Sequence, residues 1–377
     1  MTKANNAAGA PDSALAFNPH VAALPTYNAG LPVAVAREVS GHSFIARLAS
    51  NENPFGCSPK VTAALSSSAF EPWRYADPAA RELRAALGKY LGIDANEIVC
   101  GNGSEEMIAA IARAFLVPGG LAVTVVPSFG LHEIEPLANG AKVIKVPMTK
   151  DLAFDIPAIE GALARKPQVF FISTPSNPVG VTLDLASLER LATANGQSTL
   201  FVLDEAYREF TEPGFPDGLE VLRRLGVPHV ILRTFSKAYG LAGLRVGYAA
   251  CSSSEVARVV NAAKTPFNVN AAAQIAAVAA LADEAWMRDA VARINAERER
   301  VRKVLHGLDI WMAPSQTNFL FLDCRGDSSE CAQFLLKEGV IVKGWREAGY
   351  ERFLRVTIGT TEENEKFIAA FKRWLNR

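Results

Sequence analysis

The stretch TFSKAYGLAGLRVGY, Thr234 to Tyr248, sets one lysine, Lys237, among small and apolar residues just past the apolar run VPHVILR. An ammonium in such a place loses hydration. Burial disfavours the charged form, lowers the pKa, and leaves an amine able to act as nucleophile or base near neutrality. Three further segments carry reactive groups directly behind apolar runs. GNGSEE (101–106) follows EIVCG and opens a helical pattern, whose first backbone N–H groups and dipole favour an anion. PSNPVG (175–180) follows QVFFIST and brings the amide of Asn177. DEAY (204–207) follows TLFVL and brings the carboxylate of Asp204 and the phenol of Tyr207. Taken singly, each segment has a plain reading: a turn and helix cap, a loop, an acidic helix start, a surface lysine. What distinguishes them is their shared position at the ends of strand-like runs.

The elements that must position these groups follow from periodicity. LAVTVVPS, AKVIKVP, QVFFIST, TLFVLDE and HVILRTFS are short β-rich runs separated by helical segments or turns. Their near-continuous apolarity predicts strands buried on both faces, hence a parallel or mixed sheet covered by helices. PAARELRAALGKYLG (78–92) reads as a helix with Pro at its start and Gly at its end, and SEEMIAAIARAFL as another. In an open α/β sheet, ligands sit outside the carboxyl ends of the strands, where all the segments above fall. The pattern changes after residue 283. A long amphipathic helix (284–307) precedes NFLFLD (strand), SSECAQFLLKEG (helix), VIVKG and FLRVTIG (strands), and a terminal helix introduced by Thr before Glu-Glu. We therefore expect an N-terminal arm and small-domain segment (1–45), a large α/β domain (46–283) and a smaller α+β domain (284–377).

Composition removes several function classes. Lys plus Arg equals Asp plus Glu, 39 each, which argues against a nucleic-acid or anionic-membrane partner, since both demand a basic surface. The five cysteines (57, 100, 251, 324 and 331) form no C-x-x-C pair and read as reduced thiols in a cytoplasmic protein. The five histidines (20, 42, 132, 229 and 306) are scattered, with no H-E-x-x-H, so no metal site is expected. No run of 18 apolar residues offers a membrane span, and the N-terminus lacks the apolar core of a secretory signal.

In order along the chain, LASNENPFGCSP, WRYADPAARELRAAL, GNGSEEMIAAIARAF, PSFG, STPSNPVG, DEAYREF, TFSKAYGLAGLRVGY, TNFLFL and FLRVTIG resemble the aminotransferases of the aspartate aminotransferase fold. Within these they are most similar to the histidinol-phosphate aminotransferase family. The resemblance implies fold type I: a large domain with a mostly parallel, seven-stranded-type sheet and a smaller α+β domain. It implies pyridoxal 5′-phosphate as cofactor, with Lys237 as the Schiff-base lysine and proton-transfer base. By the same resemblance, Asp204 pairs with the pyridine nitrogen, and Tyr207 and Asn177 meet the ring hydroxyl. Phe129, where the family often has tyrosine, stacks on the ring. The backbone of Ser104 and Glu105, with Thr234, Ser236 and Arg245, holds the phosphate. Tyr75 matches a tyrosine that reaches the phosphate of a partner subunit, which implies a homodimer with shared sites.

The substrates implied are an amino donor and a 2-oxo acid acceptor. Arg355, in FLRVTIG, matches the carboxylate arginine, with Asn177 and the backbone near Ala49 in support. Tyr27 and Lys343 fall in the donor pocket. Lys343 stands where the family usually carries arginine, keeping the charge and losing the fork. Leu31 replaces a frequent lysine, and GWREAGYERF (344–353) departs from the family pattern. Histidinol phosphate with 2-oxoglutarate is the first expectation. Fewer cations and an added Trp345 also suit an aromatic amino acid, so an aromatic or broad-specificity aminotransferase is the alternative. Relatives that decarboxylate or eliminate with the same cofactor, and a descendant that only binds, complete the set.

Overall fold

The apolar runs become strands in the computed structural model, which describes residues 15–24, 30–67 and 71–377. In chain order the strands are β1 (Ala46–Arg47), β2 (Ile98–Gly101), β3 (Leu121–Val126), β4 (Lys142–Pro147), β5 (Val169–Ser173), β6 (Leu200–Asp204), β7 (His229–Thr234), β8 (Gly247–Cys251), β9 (Phe319–Asp323), β10 (Val340–Ile341), β11 (Lys343–Gly344) and β12 (Phe353–Thr357). Seven of them form one sheet in the order β2-β8-β7-β6-β5-β3-β4. β8 runs antiparallel to both its neighbours, and the pairings among β7, β6, β5, β3 and β4 are parallel. This is the expected fold class. Every residue of β5, β6 and β7 is buried, which explains why these strands read as unbroken apolar runs rather than alternating ones. Phe170 of β5 lies opposite Phe201 of β6, with ring centroids 5.0 Å apart, and helps to cement the centre of the sheet.

β8, GYAAC, is absent from the expectations above. Small residues have little strand propensity, and only its pairing between β2 and β7 makes it a strand. The helix expected at 78–92 forms over Arg81–Leu91 and stops at Gly92, whose φ of +70° suits the left-handed cap.

In the C-terminal part, β11-β12-β9 form an antiparallel sheet against the helix Ser328–Lys337, and the helix Thr361–Leu375 packs against β1 and β10. Thr360 and Glu363 make the reciprocal capping box at the start of the last helix. VIVKG, expected as one strand, is two. Val340–Ile341 pairs in parallel with β1, and Lys343–Gly344 pairs antiparallel with β12. The chain changes partner at Val342, whose buried side chain anchors the switch. The helix Glu284–His306 buries Met287, Val291, Ile294, Val301 and Leu305 along one stripe. Among the described residues, no helix is long and apolar enough to cross a membrane.

Candidate active site

The carboxyl ends of β3, β5, β6 and β7, the start of the helix Gly103–Phe115 and the β11–β12 hairpin open onto one cleft of about 930 Å³. Apart from Tyr75 and Tyr27, every site residue expected from the sequence lines it. Tyr27 lies outside the described residues. Tyr75 is 86% exposed, meets Phe267 in a tilted ring pair with centroids 4.7 Å apart, and does not line this chain's own cleft.

Lys237 follows β7, and its Nζ donates to the Ser50 carbonyl at 3.1 Å and lies 6.0 Å from the centre of the Tyr207 ring. Desolvation, followed by the positive charge of Arg355, pushes its pKa down to about 8. Asp204 ends β6. Its Oδ1 accepts the Ala206 N–H at 3.0 Å, and its Oδ2 lies 3.3 Å from His132 Nε2. His132 is fully buried, stacks on Phe171 at 5.4 Å and contacts the Ser128 hydroxyl through Nδ1 at 3.2 Å. The Ser128 contact has hydrogen-bond geometry, whereas Nε2 faces Asp204 at ion-pair distance without a hydrogen bond. In the sequence, His132 reads as one scattered histidine among five. The available signal was its place three residues after Phe129, in the first turn of the helix Leu131–Ala138.

Asn51 was also missed. Its Nδ2 donates to the Tyr207 hydroxyl at 2.9 Å, its Oδ1 accepts from the Thr357 hydroxyl at 2.9 Å, and its carbonyl accepts from Asn318 at 3.0 Å. With φ at +55°, Asn51 holds a backbone conformation that asparagine tolerates better than most residues. It lies within SNENP, next to the segment that pairs β1 with β10.

Gly103 has φ +76°, and a Cβ there would stand 2.5 Å from Nη2 of Arg245. A Cβ on Gly247 would stand 2.5 Å from the Ser104 nitrogen. Only glycine at both places lets the helix start, β8 and Arg245 close into one cradle. The Thr234 hydroxyl donates to Ser236 Oγ at 2.9 Å on the same rim. Backbone donors, two hydroxyls and a guanidinium suit a phosphate monoester. Glu105 brings more than its backbone, since its carboxylate accepts from Arg245 Nη2 at 2.8 Å, and a phosphate would share that arginine with it. The donor set as a whole therefore fits a phosphorylated pyridine aldehyde.

Arg355 is buried in β12 directly opposite Lys343 of β11. Its Nη1 donates to Asn177 Oδ1 at 2.7 Å, its Nη2 donates to the Ala49 carbonyl, and its guanidinium lies 5.5 Å from the centre of the Phe319 ring. Lys343 Nζ stands 5.7 Å from the Trp345 ring centre, and desolvation, then Arg355, push its pKa down to about 8. Phe129 meets His132 edge-on at 5.8 Å.

Residues 45–371 match the family model of class I and II aminotransferases, and the chain belongs to that family. It is an aminotransferase. Among its relatives, it is 41% identical to histidinol-phosphate aminotransferase 1 of Mesorhizobium japonicum over 350 residues, 93% of this chain and 95% of that protein. It is 41% identical to histidinol-phosphate aminotransferase 3 of Rhizobium meliloti over 353 residues, 93% of this chain and 95% of that protein. The crystal structure of histidinol-phosphate aminotransferase from Sinorhizobium meliloti in complex with pyridoxal-5′-phosphate superposes with a TM-score of 0.87 at 28% identity, covering 96% of this chain and 97% of that one.

Proposed function

We propose that this chain is a histidinol-phosphate aminotransferase that uses pyridoxal 5′-phosphate and passes the amino group to 2-oxoglutarate. The observation that carries this reading is the cross-strand pair Lys343 and Arg355 on the wall of the cleft that holds Lys237. Two adjacent cations suit a phosphate dianion on the donor and the carboxylates of the acceptor in turn. The names of the relatives described above support the same choice.

Bound pyridoxal phosphate supplies an aldehyde electrophile and a ring that takes up the electron pair left at the substrate Cα. Lys237 would hold the cofactor's aldehyde carbon, and its amine, with a pKa pushed down to about 8, is suited to hold or move a proton at the substrate Cα. Asp204 would keep a proton on the pyridine nitrogen, with His132 Nε2 standing 3.3 Å behind its carboxylate. Tyr207, steadied by Asn51, and Asn177 orient the ring hydroxyl. Phe129 covers the ring face. The cradle of Ser104, Glu105, Thr234, Ser236 and Arg245 holds the phosphate, and Arg355 holds the substrate carboxylate.

An aromatic amino acid as donor is the second reading. It is favoured by Trp345 in the cleft wall and by Lys343 lying over that indole. The deciding experiment compares kcat/KM for histidinol phosphate, phenylalanine and tyrosine with 2-oxoglutarate as acceptor. We expect a large preference for histidinol phosphate, and a loss of about ten- to a hundredfold for that donor alone in Lys343→Ala, the value of a charged hydrogen bond. Equal losses for histidinol phosphate and phenylalanine would remove Lys343 from phosphate recognition.

Three coarser proposals accompany this one. The chain forms a homodimer in which Tyr75 serves the partner's phosphate cradle, which its exposure beside Phe267 supports. It divides into the segments 1–45, 46–283 and 284–377. It works in the cytoplasm, in keeping with five free cysteines.

A further inference from the structure

The hairpin loop between β11 and β12, GWREAGYERF, is the part of the cleft wall that departs from its family's pattern, and it is latched to the opposite wall. Tyr350 Oη donates to the carbonyl of Val126, the last residue of β3, at 3.3 Å. Within the loop, Trp345 Nε1 donates to Glu347 Oε2 at 3.1 Å, and the Tyr350 N–H closes a turn onto the Glu347 carbonyl at 2.9 Å. The Trp345 ring is fixed edge-on against Phe321 at 5.9 Å. Glu347 is thereby held as a half-buried carboxylate that lines the cleft.

Its neighbours leave its charge only partly answered. Glu133 across the cleft is already paired with Lys145 at 3.0 Å. Desolvation raises the carboxyl pKa of Glu347, the Trp345 N–H opposes that rise, Glu133 adds to it, and Lys145 and the Ser128 N–H oppose it. The Trp345 indole and the Ser128 N–H do not exhaust a carboxylate, which has two oxygens and about four lone-pair sites. Lys343 and Glu347, four positions apart, thus meet the same indole, one over its ring and the other at its N–H.

We propose that Glu347 is a specificity-determining residue that accepts a hydrogen bond from a ring N–H of the amino donor, with Lys343 left for the anionic arm of donor or acceptor. This rests on the histidinol-phosphate reading in that an imidazole is the ring in question. The chemistry it requires is a planar five- or six-membered ring bearing an N–H. A phenyl ring in the same place offers Glu347 nothing and strips water from it, which costs affinity. A site built around such an acceptor discriminates against the isosteric ring without a donor more strongly than apolar shape alone does.

The test is a ratio measured by calorimetry on the cofactor-loaded protein. 3-(Imidazol-4-yl)propionate and 3-phenylpropionate share a carboxylate for Arg355 and differ in the ring. We expect the wild type to bind the imidazole compound more tightly. Glu347→Met should lower the ratio of affinities by about tenfold, the worth of a hydrogen bond to a charged acceptor. Glu347→Gln, which keeps an acceptor and drops the charge, should lower it by less. A ratio in Glu347→Met within twofold of wild type overturns the proposal, whatever happens to the two affinities together. Because binding is read without turnover, the outcome is separate from that of the donor comparison. A wild type that prefers phenylalanine in turnover yet shows the Glu347-dependent imidazole ratio refutes the histidinol-phosphate reading and leaves the role of Glu347 standing.

Discussion

Lys237 and Arg355 act on each other through charge as well as through a shared substrate. The lysine amine sits in a desolvated place with a fixed guanidinium in reach, and both disfavour its protonated form. In the cofactor-free protein, only the deprotonated amine attacks an aldehyde. The rate of cofactor attachment, followed by absorbance after mixing, should therefore climb about tenfold per pH unit at low pH and level off near the lysine pKa of about 8. Removing a cation makes the ammonium less costly, so Arg355→Gln should move that bend to higher pH. A bend that stays in place would show that the Arg355 charge does not reach Lys237. Lys237→Ala should leave no cofactor attached to the chain after borohydride reduction. Most of these residues were legible in the sequence because each is a reactive type next to an apolar strand. Asn51 and His132 were not, because an amide and a lone imidazole are common in loops and helices, and only their partners Tyr207 and Asp204 give them a role.

At the level of elements, the site is built where β6 and β7 end side by side, and a buried ion network holds the two ends in step. Arg233, one residue before Thr234, donates to Glu205, one residue after Asp204, through Nε at 2.8 Å, and Arg233 Nη2 lies 2.7 Å from the same oxygen. Asp217 faces both Arg233 at 3.3 Å and Arg208 at 2.9 Å, and the Gly218 N–H caps Glu205 at 3.1 Å. Both partners of the central pair are essentially buried. Breaking such a pair strands a charge in the interior and costs about 3–5 kcal/mol, whereas replacing both partners by apolar groups costs much less. Arg233→Met should thus lose about 3–5 kcal/mol in chemical denaturation, and Arg233→Met with Glu205→Leu should recover a large part of it. A single-variant loss below about 1 kcal/mol would show that the network does not tie the strands together. None of this was legible beforehand, since Glu205 and Arg233 read as ordinary neighbours of the reactive residues until the parallel pairing of β6 with β7 set them face to face.

At the scale of the whole molecule, Tyr75 is exposed and does not line the cleft its own chain forms. If it serves a partner, mixing subunits settles the matter. A heterodimer of Tyr75→Ala and Lys237→Ala subunits holds one doubly altered site and one site with both residues intact. Verified heterodimers should show about half the activity per dimer of wild type, and heterodimers with no more activity than the parent variants would refute the shared site. The sequence by itself determined the α/β class, the chain order of strands and helices, and the reactive residues at the strand ends. Those features are local, being set by hydrophobic period, by caps, and by glycines where the backbone must close. Tertiary structure alone decided that small-residue β8 is a strand, that VIVKG divides between two sheets at Val342, and that Lys343 lies opposite Arg355. It also decided that Glu347 and Trp345 reach the cleft through a loop latched to Val126. Each of these depends on which distant segment supplies the pairing partner, and hydrogen bonds between segments far apart in the chain leave no periodicity behind in either one.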